Sequence, residues 1–117
     1  MDSSEKIKSL KLKAGLQRNF IQYFLRNLLD GRILQPLESL ITRAHELGLP
    51  EIDVENALIN LDYNEPELSF EVIVEQMYEY EIKIDKEFYD SAMAICETLK
   101  LEKQKYDFLK ELFDNQQ

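Results

Sequence analysis

The chain has 117 residues, with 14 basic and 23 acidic side chains and a formal net charge of −9. This length favours one domain with its own core, and the charge argues against a nucleic-acid ligand and for a cationic partner. The single cysteine, Cys96, leaves no intramolecular disulfide, and no apolar run reaches the roughly 18 residues of a membrane span, so we expect a cytoplasmic protein.

The charge is unevenly distributed along the chain. Residues 1–32 hold seven basic and three acidic side chains, a net charge of +4. Residues 33–99 hold three basic and sixteen acidic side chains, a net charge of −13, and residues 100–117 balance four against four. The sequence therefore predicts a basic first element followed by an acidic body.

The first predicted helix spans residues 3–30. Asp2 and Glu5 are spaced as a capping box, and Gly31 provides the stop. Its apolar face is clearest in the second half, which carries Leu16, Phe20, Ile21, Phe24, Leu25, Leu28 and Leu29. Its basic side chains could contact a phosphate backbone or could form a solvated face that balances the acidic remainder.

Two further helices follow in the acidic body, residues 33–99. The first carries Leu34, Leu37, Leu40, Ile41, Ala44 and Leu47. Pro36 is expected in its first turn, and Gly48 and Pro50 are expected to close it. Asp53 is expected to cap a short helix that ends near Asp62 and Tyr63.

The next predicted helix, from Pro66 to Tyr80, combines an apolar face with a column of glutamates. Pro66 suits a first helical position, and Phe70, Ile73, Met77 and Tyr80 follow at helical spacing. A separate column at four-residue intervals consists of Glu67, Glu71, Glu75 and Glu79. Like charges at this spacing repel by roughly 0.2–0.5 kcal/mol per pair. The column is either an ordinary solvated face or a surface kept acidic for a basic partner.

Two more helices complete the chain. Residues 81–84 form an extended connection, after which Asp85 caps a helix. The inner face of that helix carries Phe88, Ala92, Ile95, Cys96 and Leu99. A last helix over residues 102–113 carries Tyr106, Leu109, Leu112 and Phe113. The expected fold is therefore all-α, a compact bundle of about six helices that makes residues 1–117 a single helical domain.

No catalytic or metal-binding constellation is present in the sequence. Cys96 lies at an inner helical position and His45 on the rim of another helix, and nothing pairs them as nucleophile and base. A di-iron site needs Glu-x-x-His motifs on facing helices, which a single histidine cannot supply. We therefore expect a protein that is not an enzyme and that uses no cofactor and no metal.

The remaining signal is the surface, where tyrosines lie among carboxylates. Tyrosine is enriched at protein interfaces because it buries a large ring while its hydroxyl stays bonded. We expect Tyr80 and Tyr89 to be core residues with hydroxyls that reach water, and Tyr63 and Tyr78 to be free for a contact.

The C-terminal half resembles the MafI family of bacterial immunity proteins. The resemblance rests on the segment Glu65 to Ile82, which ends in Glu75-Gln76-Met77-Tyr78-Glu79-Tyr80, on the Ile-x-Ile connection and Tyr-bearing helix at residues 82–89, and on residues 99–109. The basic first helix departs from the family, so its role is not carried over.

The resemblance implies an antidote that neutralises a cognate polymorphic toxin, including toxins of contact-dependent growth inhibition, in the bacterial cytoplasm. Its expected partner is the toxin's C-terminal nuclease domain, with an EndoU-like ribonuclease as one class, and neither nucleic acid nor membrane is expected as a ligand. The residues expected to bind the toxin are Asp62, Tyr63, Glu65, Glu71, Glu75, Tyr78 and Glu79. The alternative is a helical regulatory or adaptor module whose basic first helix binds nucleic acid or an acidic partner. The sequence does not fix the oligomeric state.

Overall fold

The computed structural model describes residues 31–113, and these form an all-α fold, as predicted. The helices are α1 (Gly31–Leu47), α2 (Glu51–Asp62), α3 (Pro66–Glu79), α4 (Lys86–Leu99) and a 3₁₀ helix (Lys103–Leu112). They match five of the six predicted helices. The sixth, over residues 3–30, and its expected role as a basic binding element lie outside the described residues, as does the tail 114–117. Within the described range, no helix has the length and apolar character needed to cross a membrane.

Helix α1 buries the predicted apolar face, with Leu37, Ile41 and Ala44 fully enclosed. The expectation that Pro36 occupies its first turn is wrong, because Gly31 is already helical and the proline lies in the helix interior. Since proline has no N–H, the carbonyl of Arg32 loses its usual donor four residues later.

Helices α2 and α3 form an antiparallel hairpin with the most extensive contact between any two described helices. The buried Ser69 hydroxyl donates to the carbonyl oxygen of Ala57 at 2.8 Å, which ties the start of α3 to the middle of α2. Asp53 was expected to cap α2, and this is wrong: the helix begins at Glu51 after Pro50, and no side chain caps it. Asp53 is instead a buried residue inside α2.

The predicted cap of α4 is confirmed. Asp85 Oδ1 accepts a hydrogen bond from the backbone N–H of Phe88 at 2.8 Å, and Oδ2 forms an ion pair with Arg43 of α1. The Phe88 N–H and then the Arg43 guanidinium hold the pKa of Asp85 below its ordinary value. One side chain therefore begins α4 and fastens it to α1. Cys96 is fully buried within the same helix, as predicted.

The four α-helices within residues 31–113 all end in the same hydrogen-bond pattern, although the chain has only three glycines. In each ending, a residue of positive φ is followed by a residue whose N–H reaches back five positions to a carbonyl, as Leu49 does to Ala44 at 2.9 Å. The residues of positive φ are Gly48, Asn64, Glu81 and Lys100. Three of these endings therefore use a residue with a side chain in a conformation that favours glycine.

The C-terminal segment closes the described fold as a 3₁₀ helix of ten residues, where the sequence predicted a helix over 102–113. Tyr106, Leu109 and Leu112 are buried, and their three-residue spacing puts them on one side of a helix with three residues per turn. The Ile84 N–H then donates to the Leu112 carbonyl at 3.0 Å, and Ile84 forms a parallel bridge with Phe113. This bond joins the last segment to the connection between α3 and α4.

Candidate functional site

Helix α3 has sharply different inner and outer faces. Its inner face consists of Ser69, Phe70, Ile73, Val74 and Met77, all fully buried. Its outer face is exposed and consists of Glu67, Leu68, Glu75, Tyr78 and Glu79. Pro66 is the first helical residue, as predicted, and the helical period then separates the two faces.

The carboxylates of α3 are not matched by cations of the described residues. The ion pairs found within residues 31–113 join Arg43 to Glu46 and Asp85, Lys86 to Asp90, Lys103 to Glu97, and Lys110 to Asp107. None of them involves a carboxylate of α3. In this part of the molecule, Glu67, Glu75 and Glu79 therefore present negative charge to solvent.

Glu71 differs from the other members of the glutamate column. It is half-buried, and its Oε1 accepts a hydrogen bond from the Tyr106 hydroxyl at 3.4 Å. Burial and the charge of Glu71 raise the pKa of Tyr106 to about 12. Glu71 therefore faces the 3₁₀ helix, and its carboxylate is partly engaged within the fold.

Tyr78 lies at the edge of α3 that faces the 3₁₀ helix. Its side chain is 40% exposed, and its ring packs edge-on against Phe108 with centroids 5.0 Å apart. Its hydroxyl donates to Glu111 Oε1 at 3.4 Å. The charge of Glu111, then burial and the charges of Glu81 and Glu79, raise the pKa of Tyr78. Tyr78 therefore combines an exposed ring with several nearby carboxylates.

A shallow cleft opens beside Tyr78, between the end of α3 and the end of the 3₁₀ helix. Its lining consists of Tyr78, Glu79, Glu81, Lys83, Glu111 and Leu112. Three carboxylates and one lysine give this lining a negative balance. Such a lining suits a cationic group better than an anion.

The predicted toxin-binding residues fall into separate groups. Tyr63, 67% exposed, and Glu65 lie just before α3, whereas Tyr78 and Glu79 lie at its end and Glu75 one turn earlier. At about 1.5 Å of rise per residue, the two ends of α3 lie roughly 20 Å apart. One partner could touch both ends only with an interface that runs along the whole helix.

Two expectations about side-chain position are wrong. Asp62 was expected to face the toxin, but it is 8% exposed as the last residue of α2, so its carboxylate belongs to the interior. Tyr80 was expected in the core, but it is 48% exposed just beyond the last residue of α3. Tyr89 is half-buried against Phe113, with centroids 5.3 Å apart.

The 3₁₀ helix contributes two residues to this surface that the sequence pattern did not indicate. Phe108 and Glu111 contact Tyr78 from about thirty positions further along the chain. Phe108 in turn lies 6.2 Å from the ring of Tyr106, which packs on Phe70 at 5.2 Å. A row of four rings therefore runs from the core to Tyr78. No local sequence signal reports such a contact between distant segments.

Cys96 and His45 have side chains of the types that act as nucleophiles or metal ligands, but their contacts in this structure belong to the fold. Burial raises the pKa of the Cys96 thiol, which disfavours a reactive thiolate. The His45 Nδ1 atom lies 3.1 Å from the carbonyl oxygen of Leu49, at the end of α1. Among residues 31–113, no three His, Cys, Asp or Glu side chains are grouped as a metal site would require.

The chain was compared with protein-family models, with curated proteins and with solved structures, and none of them matches it.

Proposed function

We propose that this chain is a non-enzymatic immunity protein that binds a positively charged toxin domain through the outer face of α3. The observation that carries this proposal is the exposed set of carboxylates Glu67, Glu75 and Glu79, which no ion pair within residues 31–113 neutralises. An ordinary solvated face usually mixes both signs of charge. A face of one sign is suited to electrostatic attraction of a basic partner.

The kind of partner follows from the resemblance to MafI-like immunity proteins together with this charge. A nuclease domain carries basic side chains in its cleft because it must hold phosphates. An acidic helix can occupy such a cleft, or grip the surface around it, and so keep the nucleic acid out. We propose the C-terminal nuclease domain of a cognate toxin, of the EndoU-like ribonuclease class, as the partner in the bacterial cytoplasm.

The proposed contact combines charge with aromatic anchors. Glu75 and Glu79 supply the exposed charge, and Tyr78 supplies a ring held in place by Phe108. Glu65 and Tyr63 extend the same contact to the start of α3. Glu71 has a smaller part, because its carboxylate is half-buried against Tyr106, and Asp62 has none, because it is buried.

The test is charge reversal on the exposed part of the helix. Glu75→Lys and Glu79→Lys together should slow association with the toxin domain by about tenfold or more at low salt, because steering depends on the charge of the contact face. Stopped-flow mixing of the purified toxin domain with each variant measures this rate, and survival of toxin-exposed cells measures protection.

The matched control places the same change of charge elsewhere. Glu97→Lys and Glu102→Lys alter two exposed carboxylates on α4 and the connection after it. This pair should change the association rate far less, because it alters the net charge by the same amount but leaves the charges of α3 unchanged. If both double variants slow association equally, net charge alone matters, and the outer face of α3 is not the contact.

A further inference from the structure

A second exposed surface lies where α2 begins and α3 ends. Two of the most exposed large apolar side chains of the described residues occur here, Ile52 at 59% and Tyr80 at 48%. Asp53 follows Ile52 directly and is 3% exposed. A buried carboxylate therefore lies next to exposed apolar and aromatic surface.

The carboxylate of Asp53 is incompletely bonded. Its Oδ1 accepts a hydrogen bond from Gln76 Nε2 at 2.9 Å. Its Oδ2 is buried and has no hydrogen-bond partner. Buried polar atoms in folded proteins nearly always have a partner, because desolvation without a bond is unfavourable. A carboxylate oxygen in this state is prepared for a donor that arrives from outside.

Tyr80 is placed to cover or uncover this oxygen. Its hydroxyl lies close enough to Asp53 for hydrogen bonding and charge to raise the pKa of Tyr80, although no hydrogen bond of normal geometry reaches Oδ2. Tyr80 follows the last residue of α3 and is half exposed, so its ring can turn aside without disturbing the core. Side-chain rotations of this kind are common when partners bind.

We propose that Asp53, Gln76 and Tyr80 form a receptor for the guanidinium group of an arginine on the protein partner. A guanidinium has five N–H donors in one plane, so it can bond a carboxylate oxygen and stack on an aromatic ring at once. An ammonium group is a point charge and gains less from the ring. Tyr80 beside the carboxylate would exclude water from the bound guanidinium, as the surroundings of interface hot spots do. This assignment rests on the proposed function for the kind of partner.

The experiment uses the intact chain and two small probes, argininamide and lysinamide. Titration followed by NMR should shift the backbone amides of Asp53 and Tyr80 and the side-chain amide of Gln76, with argininamide the tighter ligand. Asp53→Asn should weaken argininamide binding by about tenfold or more, because a charge-assisted bond is lost. The matched control Glu55→Gln removes a carboxylate two positions along α2 and should change the affinity by less than about twofold.

Tyr80→Ala provides a second route if Asp53→Asn does not fold. It changes a half-exposed side chain and should bring the affinity for argininamide down to that for lysinamide. Equal argininamide affinity in the parent and Asp53→Asn overturns the proposal, as do shifts spread evenly over exposed carboxylates, or an unchanged preference for argininamide in Tyr80→Ala. Because no toxin is used, failure here leaves the proposed function standing. Failure of the charge-reversal test likewise leaves the argininamide result intact.

Discussion

The inner face of α3 stabilises the helix, whereas the charges on its outer face destabilise it. The inner face encloses Phe70, Ile73 and Met77 completely, and burial of each such side chain contributes about 1.5–3 kcal/mol. The glutamate column has a member at every fourth residue, and three of its four members lie on the outer face; its like charges cost roughly 0.2–0.5 kcal/mol per pair. The gain exceeds the cost several-fold. The core therefore holds the helix in place, and the outer face can carry an unfavourable charge pattern without loss of the fold.

The largest expected effect is on the inner face. Phe70→Ala should lower the free energy of unfolding by about 3–5 kcal/mol, because it leaves a cavity and removes the ring contact with Tyr106. Urea unfolding followed by circular dichroism measures the loss. Leu68→Ala, at a 47% exposed position two residues earlier, should cost less than about 1 kcal/mol. Similar losses at both positions would remove the distinction between the faces.

An intermediate effect is expected at the boundary, where Tyr106 meets Glu71. Because the pKa of Tyr106 is raised to about 12 in the folded protein from an ordinary 10, its contribution to stability is complete below pH 10. The contribution is lost as the pH rises from 10 toward 12. In this range the Tyr106 phenol ionises in the unfolded chain but not in the folded protein, which favours unfolding.

Thermal unfolding measured between pH 9 and pH 12 tests this expectation. Tyr106→Phe should show a smaller alkaline loss of stability than the parent, whereas Tyr63→Phe, at a 67% exposed position, should keep the parent's loss. An identical alkaline loss in all three proteins would contradict the assignment to Tyr106.

The smallest expected effect is on the outer face. Glu75→Lys replaces two repulsive pairs, with Glu71 and Glu79, by two attractive ones and should raise the free energy of unfolding by about 1 kcal/mol at low salt. The gain should shrink in high salt, where such charges are screened. Urea unfolding at two salt concentrations measures it. A loss of stability at low salt would mean that the glutamate column does not strain α3.

Local signals were sufficient for much of the fold. Proline at position 66 and the spacing of Phe70, Ile73 and Met77 predicted α3 and its buried face. Asp85 predicted the start of α4 because its cap bond reaches just three residues along the chain. In both cases the interactions that form the helix join residues only a few positions apart, so the local sequence pattern indicates them.

The candidate site was harder to predict because its contacts join distant segments. Asp53 has the residue type of a helix cap, but its partner, Gln76, lies 23 positions later on α3. The exposure of Tyr80 and the burial of Asp62 depend on how α2 and α3 pack against other segments. The helical spacing of residues gives no information about that packing. The ring of Phe108 against Tyr78 is a contact of the same kind.

In the 3₁₀ helix, the spacing of the buried residues indicates the type of helix as well as its presence. Its three buried residues, Tyr106, Leu109 and Leu112, recur every three residues, which fits three residues per turn. In an α-helix, this row would drift around the axis by about 60° at each step. The spacing therefore favoured the 3₁₀ form, although such helices seldom extend over ten residues.

The bond from the Ile84 amide to the Leu112 carbonyl provides a direct probe of motion at the cleft. No α-helix contains this amide, so its exchange with deuterium depends on whether the final segment stays docked, independently of helix opening. When that segment detaches, Glu111 leaves Tyr78 and the cleft loses one of its walls. The exchange lifetime of a single backbone proton would then report how often the cleft loses and regains that wall.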